Sequence, residues 1–209
     1  MPAEKETRFM KTRALLTAAV LCLAGPALAQ GKAPTTKEKA PPKKEETAPK
    51  KEEKPAEAPQ AAAGATATAD VKDQKGQSLG QVTLTETPHG VLVKGSLANL
   101  PPGEHAIHIH ETGKCEAPFK TAGGHLNPSK KKHGILAPEG KHEGDMPNLH
   151  VEADGKVQFD FFAQDLTLAD VLDADGSAVV VHATADDYKS DPAGNAGDRI
   201  ACGVVQAPK

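Results

Sequence analysis

From residue 66 onward the chain alternates between apolar and polar positions in short runs. ATATADVKD, LGQVTLTE, GVLVKGSLANL, EHAIHIH, LHVEADGKVQFDFF, AVVVHATA and RIACGVVQ are β-branched or period-two segments, separated by Gly, Pro and Asp-Gly turns. The pattern predicts an all-β domain, a sandwich or barrel of about eight antiparallel strands. DLTLADVL, residues 165–172, reads equally as a short helix or a connection. Two long stretches, 111–147 and 183–198, break the strand rhythm, and long loops on a compact β scaffold are the places where function concentrates.

Upstream of residue 66 the pattern is different. Residues 10–30, MKTRALLTAAVLCLAGPALAQ, carry Lys11 and Arg13, then an apolar run, then Ala27-Leu28-Ala29, the small-x-small pattern of a signal-peptidase site. Residues 1–29 are therefore read as a signal peptide starting at Met1 or Met10. The apolar run is too short for a stable membrane span, and the mature chain is expected in the periplasm, the cell envelope or outside the cell. Residues 30–65 are dominated by Lys, Glu, Pro and Ala, and nothing there can bury enough surface to offset the entropy of ordering. They read as a disordered tether, and residues 66–209 as the folded domain.

Composition narrows the function classes. Aromatics make up 3% of the 209 residues and Trp is absent, so the core must be built from Val, Leu, Ile and Ala. With one Tyr, five Phe and no Arg-rich groove, the chain offers little on which nucleic-acid bases could stack. From residue 66 on, 13 Lys and Arg stand against 20 Asp and Glu, a balance of −7. An anionic substrate would therefore depend on a local positive site such as a metal or a placed arginine. Of three cysteines, Cys22 leaves with the signal peptide. Cys115 and Cys202 remain, in a compartment where a disulfide persists, and they are either that disulfide or two buried thiols.

The candidate chemistry lies in the histidines. His108 and His110 stand two apart on a predicted strand, so both imidazoles leave one face and could chelate one ion or simply be solvated. The first long loop adds His125, His133 and His142 at spacings of eight and nine, then Asp145. Three imidazoles and a carboxylate suit a tetrahedral zinc shell. His105 has the opposite strand parity to His108 and His110, which argues against a shared ion.

HAIHIHE, the following cysteine, GGHLNP, KKHG, HEGD, VVVHATADD and GNAGDRIACGV, in that order, resemble the motifs of copper/zinc superoxide dismutases of the bacterial exported type, over about residues 66–207. The resemblance implies a Greek-key β-barrel with two long functional loops and a Cys115–Cys202 disulfide. It implies copper held by His108, His110, His125 and His182, and zinc held by His125, His133, His142 and Asp145. Superoxide is the implied substrate, with His125 shared between the metals, releasing copper on its reduction and carrying a proton to the second superoxide. Asp186 matches the aspartate that links a copper ligand to a zinc ligand, here His108 and His133. Arg199 matches the anion-guiding arginine, and His105 a support beneath the copper. His89 and His150 match no ligand position and read as surface residues.

The loop before Arg199 departs from the family's eukaryotic branch. It lacks the glutamate pair and lysine that steer superoxide there, leaving Lys189 and the run Lys130 to Lys132 as candidates. A homodimer and a monomer both stay open. The alternative function is a non-catalytic copper or zinc carrier on the same barrel, which would need neither Arg199 nor an open copper position.

Overall fold

The computed structural model describes residues 62–208, so the expected signal peptide and all but the last four residues of the expected tether lie outside the described residues. The strands are β1 (Thr66–Asp73), β2 (Ser78–Thr87), β3 (Gly90–Leu97), β4 (Gly103–His105), β5 (Ile107–His110), β6 (Leu149–Val151), β7 (Val157–Ala163), β8 (Ala178–His182) and β9 (Arg199–Gln206). The seven predicted segments become nine strands because two of them divide. EHAIHIH breaks at Ala106, and LHVEADGKVQFDFF is interrupted by a turn in which Glu152 and Lys156 face each other.

Seven strands form one antiparallel sheet in the order β5-β8-β9-β1-β2-β3-β7, and β4 pairs with β6. β4 leads into β5 and β6 leads into β7, so the chain segments before the two sheet edges pair with each other and close a barrel. The connections from β3 to β4 and from β7 to β8 cross between the two sides, which is a Greek-key arrangement. One predicted ambiguity resolves as a short helix α1, Leu168–Val171. Thr167 and Asp170 form a capping box at its start, and buried Glu86 accepts the Leu168 N–H at 2.6 Å.

The core is aliphatic, as the composition requires: Val71, Val82, Leu84, Val93, Ile107, Ile109, Val179 and Val181 are all fully buried. β8 departs from half-buried alternation because all five of its residues are buried. Val179 and Val181 face the barrel interior, whereas Ala178 and Val180 pack under the first long loop with Phe119, Ala122 and Cys202. That is why AVVVH reads as a continuous apolar run. The loop lies against the free edge of β5: Ile109 N–H donates to Gly144 O and Leu126 N–H donates to Ile109 O. The approach is so close that a Cβ on Gly144 would stand 2.2 Å from Ile109 O.

Candidate metal centre

β5 and β8 raise the first set of imidazoles. Ile107 and Ile109 enter the core, so period two sends His108 and His110 to the opposite face, beneath the first loop. His182 ends β8 at a register shift, where its cross-strand partner is Arg199. His110 pairs with His125, and His108 with Asp145, through isolated bridges to the loop. One nitrogen from each of His108, His110, His125 and His182 lies within 4.8 Å of the others, and all four residues are buried.

The second nitrogen of each strand histidine is already engaged. His108 Nε2 donates to Asp186 Oδ2 at 2.7 Å, His110 Nδ1 donates to Gly123 O at 3.0 Å, and His182 Nδ1 faces Gly197 O at 3.4 Å. The remaining nitrogens converge: His110 Nε2 and His182 Nε2 are 3.4 Å apart, while His108 Nδ1 and His125 Nε2 are buried with no hydrogen-bond partner. Buried polar atoms are almost always paired, so two orphaned nitrogens facing two more are a donor set prepared for a cation. An all-imidazole set suits copper.

A second set adjoins it. Asp145 Oδ1 lies 2.9 Å from His125 Nδ1, 3.0 Å from His133 Nδ1 and 3.5 Å from His142 Nδ1. Asp145 Oδ2 accepts the Gly134 and His142 backbone N–H groups, each at 3.0 Å, which fixes the carboxylate. Three nitrogens and one oxygen fit zinc. His125 belongs to both sets, one ring nitrogen in each. A third close group, His108, His133 and Asp186, is a hydrogen-bonded link between the sets: Asp186 Oδ1 accepts from His133 Nε2 at 3.0 Å while its other oxygen holds His108.

These environments separate the protonation states. Burial, with the His125 imidazole close by, lowers the His108 pKa to about 4 despite Asp186, and burial with His108 beside it lowers His182 to about 3. Burial also drives His110 well below the usual imidazole value. His133 goes the other way: burial opposes its charge, but hydrogen bonds to Asp145 and Asp186 at its two nitrogens outweigh it and raise the pKa to about 9. Both aspartates sit far below the ordinary carboxylate value. Burial alone would raise them, and hydrogen bonds from His125 and His133 to Asp145, and from His108 and His133 to Asp186, prevail. His108, His110 and His182 are thus neutral and ready to ligate, whereas His133 must lose a proton first.

Arg199 opens β9, and its guanidinium is held by two carbonyls of the first loop, Phe119 O and Gly123 O, each at 2.7 Å. It lines a cleft with Glu111, His125, Lys130, Lys131 and His182. Of the lysines noted in the sequence, Lys130 and Lys131 therefore reach this cleft. Lys132 pairs with Asp191 at 3.5 Å and, with Lys189, lines a separate depression. His105 is buried below, with Nδ1 2.8 Å from His182 O and Nε2 2.9 Å from Pro101 O. Cys115 and Cys202 are joined in a disulfide with a Cα–Cα distance of 5.7 Å, tying the first loop to β9. His89 and His150 are exposed.

Several contributors gave no local signal in the sequence. Asn148 clamps Asp186 by its backbone: its Nδ2 donates to Asp186 O at 3.0 Å and its Oδ1 accepts the Asp186 N–H at 2.9 Å. The Asn148 N–H in turn donates to the Tyr188 hydroxyl at 2.7 Å. Gly194 lies over the same aspartate, where a Cβ would come within 1.9 Å of Asp186 Oδ1. The Asn148 contacts join residues 38 or more apart in the chain, beyond any pattern of period or spacing.

Residues 78–205 match the family model for copper/zinc superoxide dismutase. The chain belongs to that family. A copper/zinc superoxide dismutase of Aquifex aeolicus is 52% identical over 145 residues, covering 66% of this chain and 86% of that protein. Among solved structures, a superoxide dismutase-like protein of Bacillus subtilis is 38% identical with a TM-score of 0.64, covering 66% of this chain and 97% of its own. The copper/zinc superoxide dismutase of Brucella abortus is 34% identical with a TM-score of 0.58, covering 68% and 99%. The family match runs from β2 into β9 and includes both loops, so every residue of the two donor sets lies within it.

Proposed function

We propose that this chain is an exported copper/zinc superoxide dismutase that converts two superoxide ions and two protons to dioxygen and hydrogen peroxide. The observation that carries this reading is the committed second nitrogen on each of His108, His110 and His182, which leaves convergent unprotonated nitrogens beside a cleft holding Arg199. His108, His110, His125 and His182 would hold copper, and His125, His133, His142 and Asp145 would hold zinc. When bound, copper supplies the one-electron shuttle between successive superoxide ions, and zinc, which has no redox chemistry, supplies a fixed positive charge.

The chain's own residues supply the rest. Arg199, cross-strand from His182, offers a guanidinium to an anion in the cleft, in a domain whose net charge would otherwise repel it. Lys130 and Lys131 at the same cleft support a steering role. His125 lines the cleft and has Nε2 unpartnered, so this is the atom at which a proton can be held and passed to a reduced anion. Asp186 keeps His108 and His133 in fixed tautomers. His105 fixes the backbone of His182 from below. Residues 1–29 would direct export and be removed, and no helix among the described residues is long and apolar enough to cross a membrane.

The test is a superoxide dismutation assay on residues 30–209 loaded with copper and zinc, beside His182→Ala and Arg199→Ala variants. We expect robust activity in the parent, loss with His182→Ala, and with Arg199→Ala at least a tenfold slower reaction at unchanged copper content, in keeping with the range for electrostatic steering. Stoichiometric metal without activity would overturn the enzyme reading in favour of a metal carrier.

A further inference from the structure

Glu111 follows His110 directly and lines the cleft with its carboxylate exposed. A negative charge at the mouth of a site for anions opposes capture, so a compensating role is expected of it. Its contacts supply one. Glu111 Oε1 accepts the Gly124 N–H at 2.9 Å, and its backbone N–H donates to Gly124 O at 3.0 Å. The side chain also lies flat against the neighbouring glycine: a Cβ on Gly123 would stand 2.7 Å from Oε1 and 2.8 Å from Cγ, and Gly123 has φ 75°. The Gly-Gly turn is thereby gripped from both its backbone and its open face.

The turn matters because of what Gly123 O receives. His110 Nδ1 donates to it at 3.0 Å and Arg199 Nη2 at 2.7 Å. One carbonyl thus orients both a candidate copper ligand and the candidate anion guide. We infer that Glu111 is a positioning residue: it fixes the Gly123-Gly124 turn so that a single carbonyl sets His110 and Arg199 together, at the cost of a repulsive charge in the cleft. The part of this inference that concerns rate rests on the dismutase reading. The part that concerns the turn does not.

Glu111→Gln and Glu111→Ala separate the two effects, since the Gln amide oxygen can still accept from Gly124 while both variants remove the charge. In the metal-free protein, the Gly124 amide should exchange with solvent at near the parent rate in Glu111→Gln and about tenfold faster in Glu111→Ala. In the copper- and zinc-loaded protein at ~1 M salt, where charge effects beyond ~3 Å are screened, azide titration of copper(II) should give parent-like affinity for Glu111→Gln. Glu111→Ala should bind azide about tenfold more weakly, the lower end of losses seen when outer partners of metal ligands are removed. At low salt, Glu111→Gln should bind azide more tightly than the parent. Equal exchange in the two variants, or equal azide affinity at high salt, would overturn the positioning role. Parent protein that fails to dismutate superoxide would leave the exchange result standing on its own and count only against the dismutase reading.

Discussion

The Asp186 carboxylate holds His108 Nε2 at 2.7 Å with one oxygen while the other holds His133 Nε2 at 3.0 Å, so one side chain from the second loop fixes a member of each donor set. Asp186→Asn offers one acceptor and one donor where two acceptors are needed. Affinity for zinc and copper should fall together by about 10- to 100-fold, measured by competition with a chromophoric chelator. A loss confined to one metal would contradict the bridging role.

Stability of the metal-free protein should peak near pH 6.5. His108 and His182, lowered to about 4 and about 3, stay neutral in the fold while the unfolded chain takes up protons below 6.5, so stability falls from there towards pH 4 and below. His133, raised to about 9, is protonated in the fold when the unfolded chain is not, and its contribution is lost as pH rises from 6.5 through 9. Urea midpoints measured across pH 4 to 10 on metal-free protein would read both arms. A flat profile would remove the assigned protonation states.

Zinc binding at pH 7 should release close to one proton from His133, because both its nitrogens face carboxylates and Nδ1 must be vacated for the metal. The release should fade above about pH 9. Titration of zinc into weakly buffered protein with an indicator dye gives the count, and His133→Ala serves as the control.

Gly194→Ala should destabilise the metal-free domain by about 1–3 kcal/mol, the usual cost of forcing extra volume into a packed site. The new Cβ would stand 1.9 Å from Asp186 Oδ1 and 2.7 Å from His133 Nε2, at a backbone φ of 63°. Equilibrium urea unfolding reads the change, and zinc affinity should fall with it.

Reduction of Cys115–Cys202, which spans 87 residues, should cost about 4–5 kcal/mol on the chain-entropy model. Thermal unfolding with and without a thiol reductant, beside a Cys115→Ser/Cys202→Ser double variant, measures it. The variant should be insensitive to reductant.

Much of this architecture was legible because it depends on local periodicity. Period two at Ile107 to His110 predicted that the imidazoles would share a face opposite the isoleucines, and the structure places them so. The apolar run AVVVH was visible as a strand, but its burial on both faces required knowing that a loop would cover it. His125, His133, His142 and Asp145 were noticeable by residue type in a Gly-rich loop. Their convergence on one oxygen depends on Gly134 and Gly144 letting backbones approach closely, which spacing alone cannot convey. Asn148, Tyr188 and Glu111 left no trace because their roles exist only through contacts with distant segments. Arg199 lies between: as a sequence feature it is a lone cation at a strand start, and only the register opposite His182 gives it a place.

The first loop does more than carry ligands. β5 is an edge strand, and edge strands with free N–H and C=O groups are templates for pairing between molecules. Gly144 and Leu126 occupy those groups at Ile109, so the segment that builds the metal centre is also the cap on the sheet. Any change that lifts the loop exposes the IHIH edge at the same moment, which makes assembly of the centre and resistance to aggregation a single structural event.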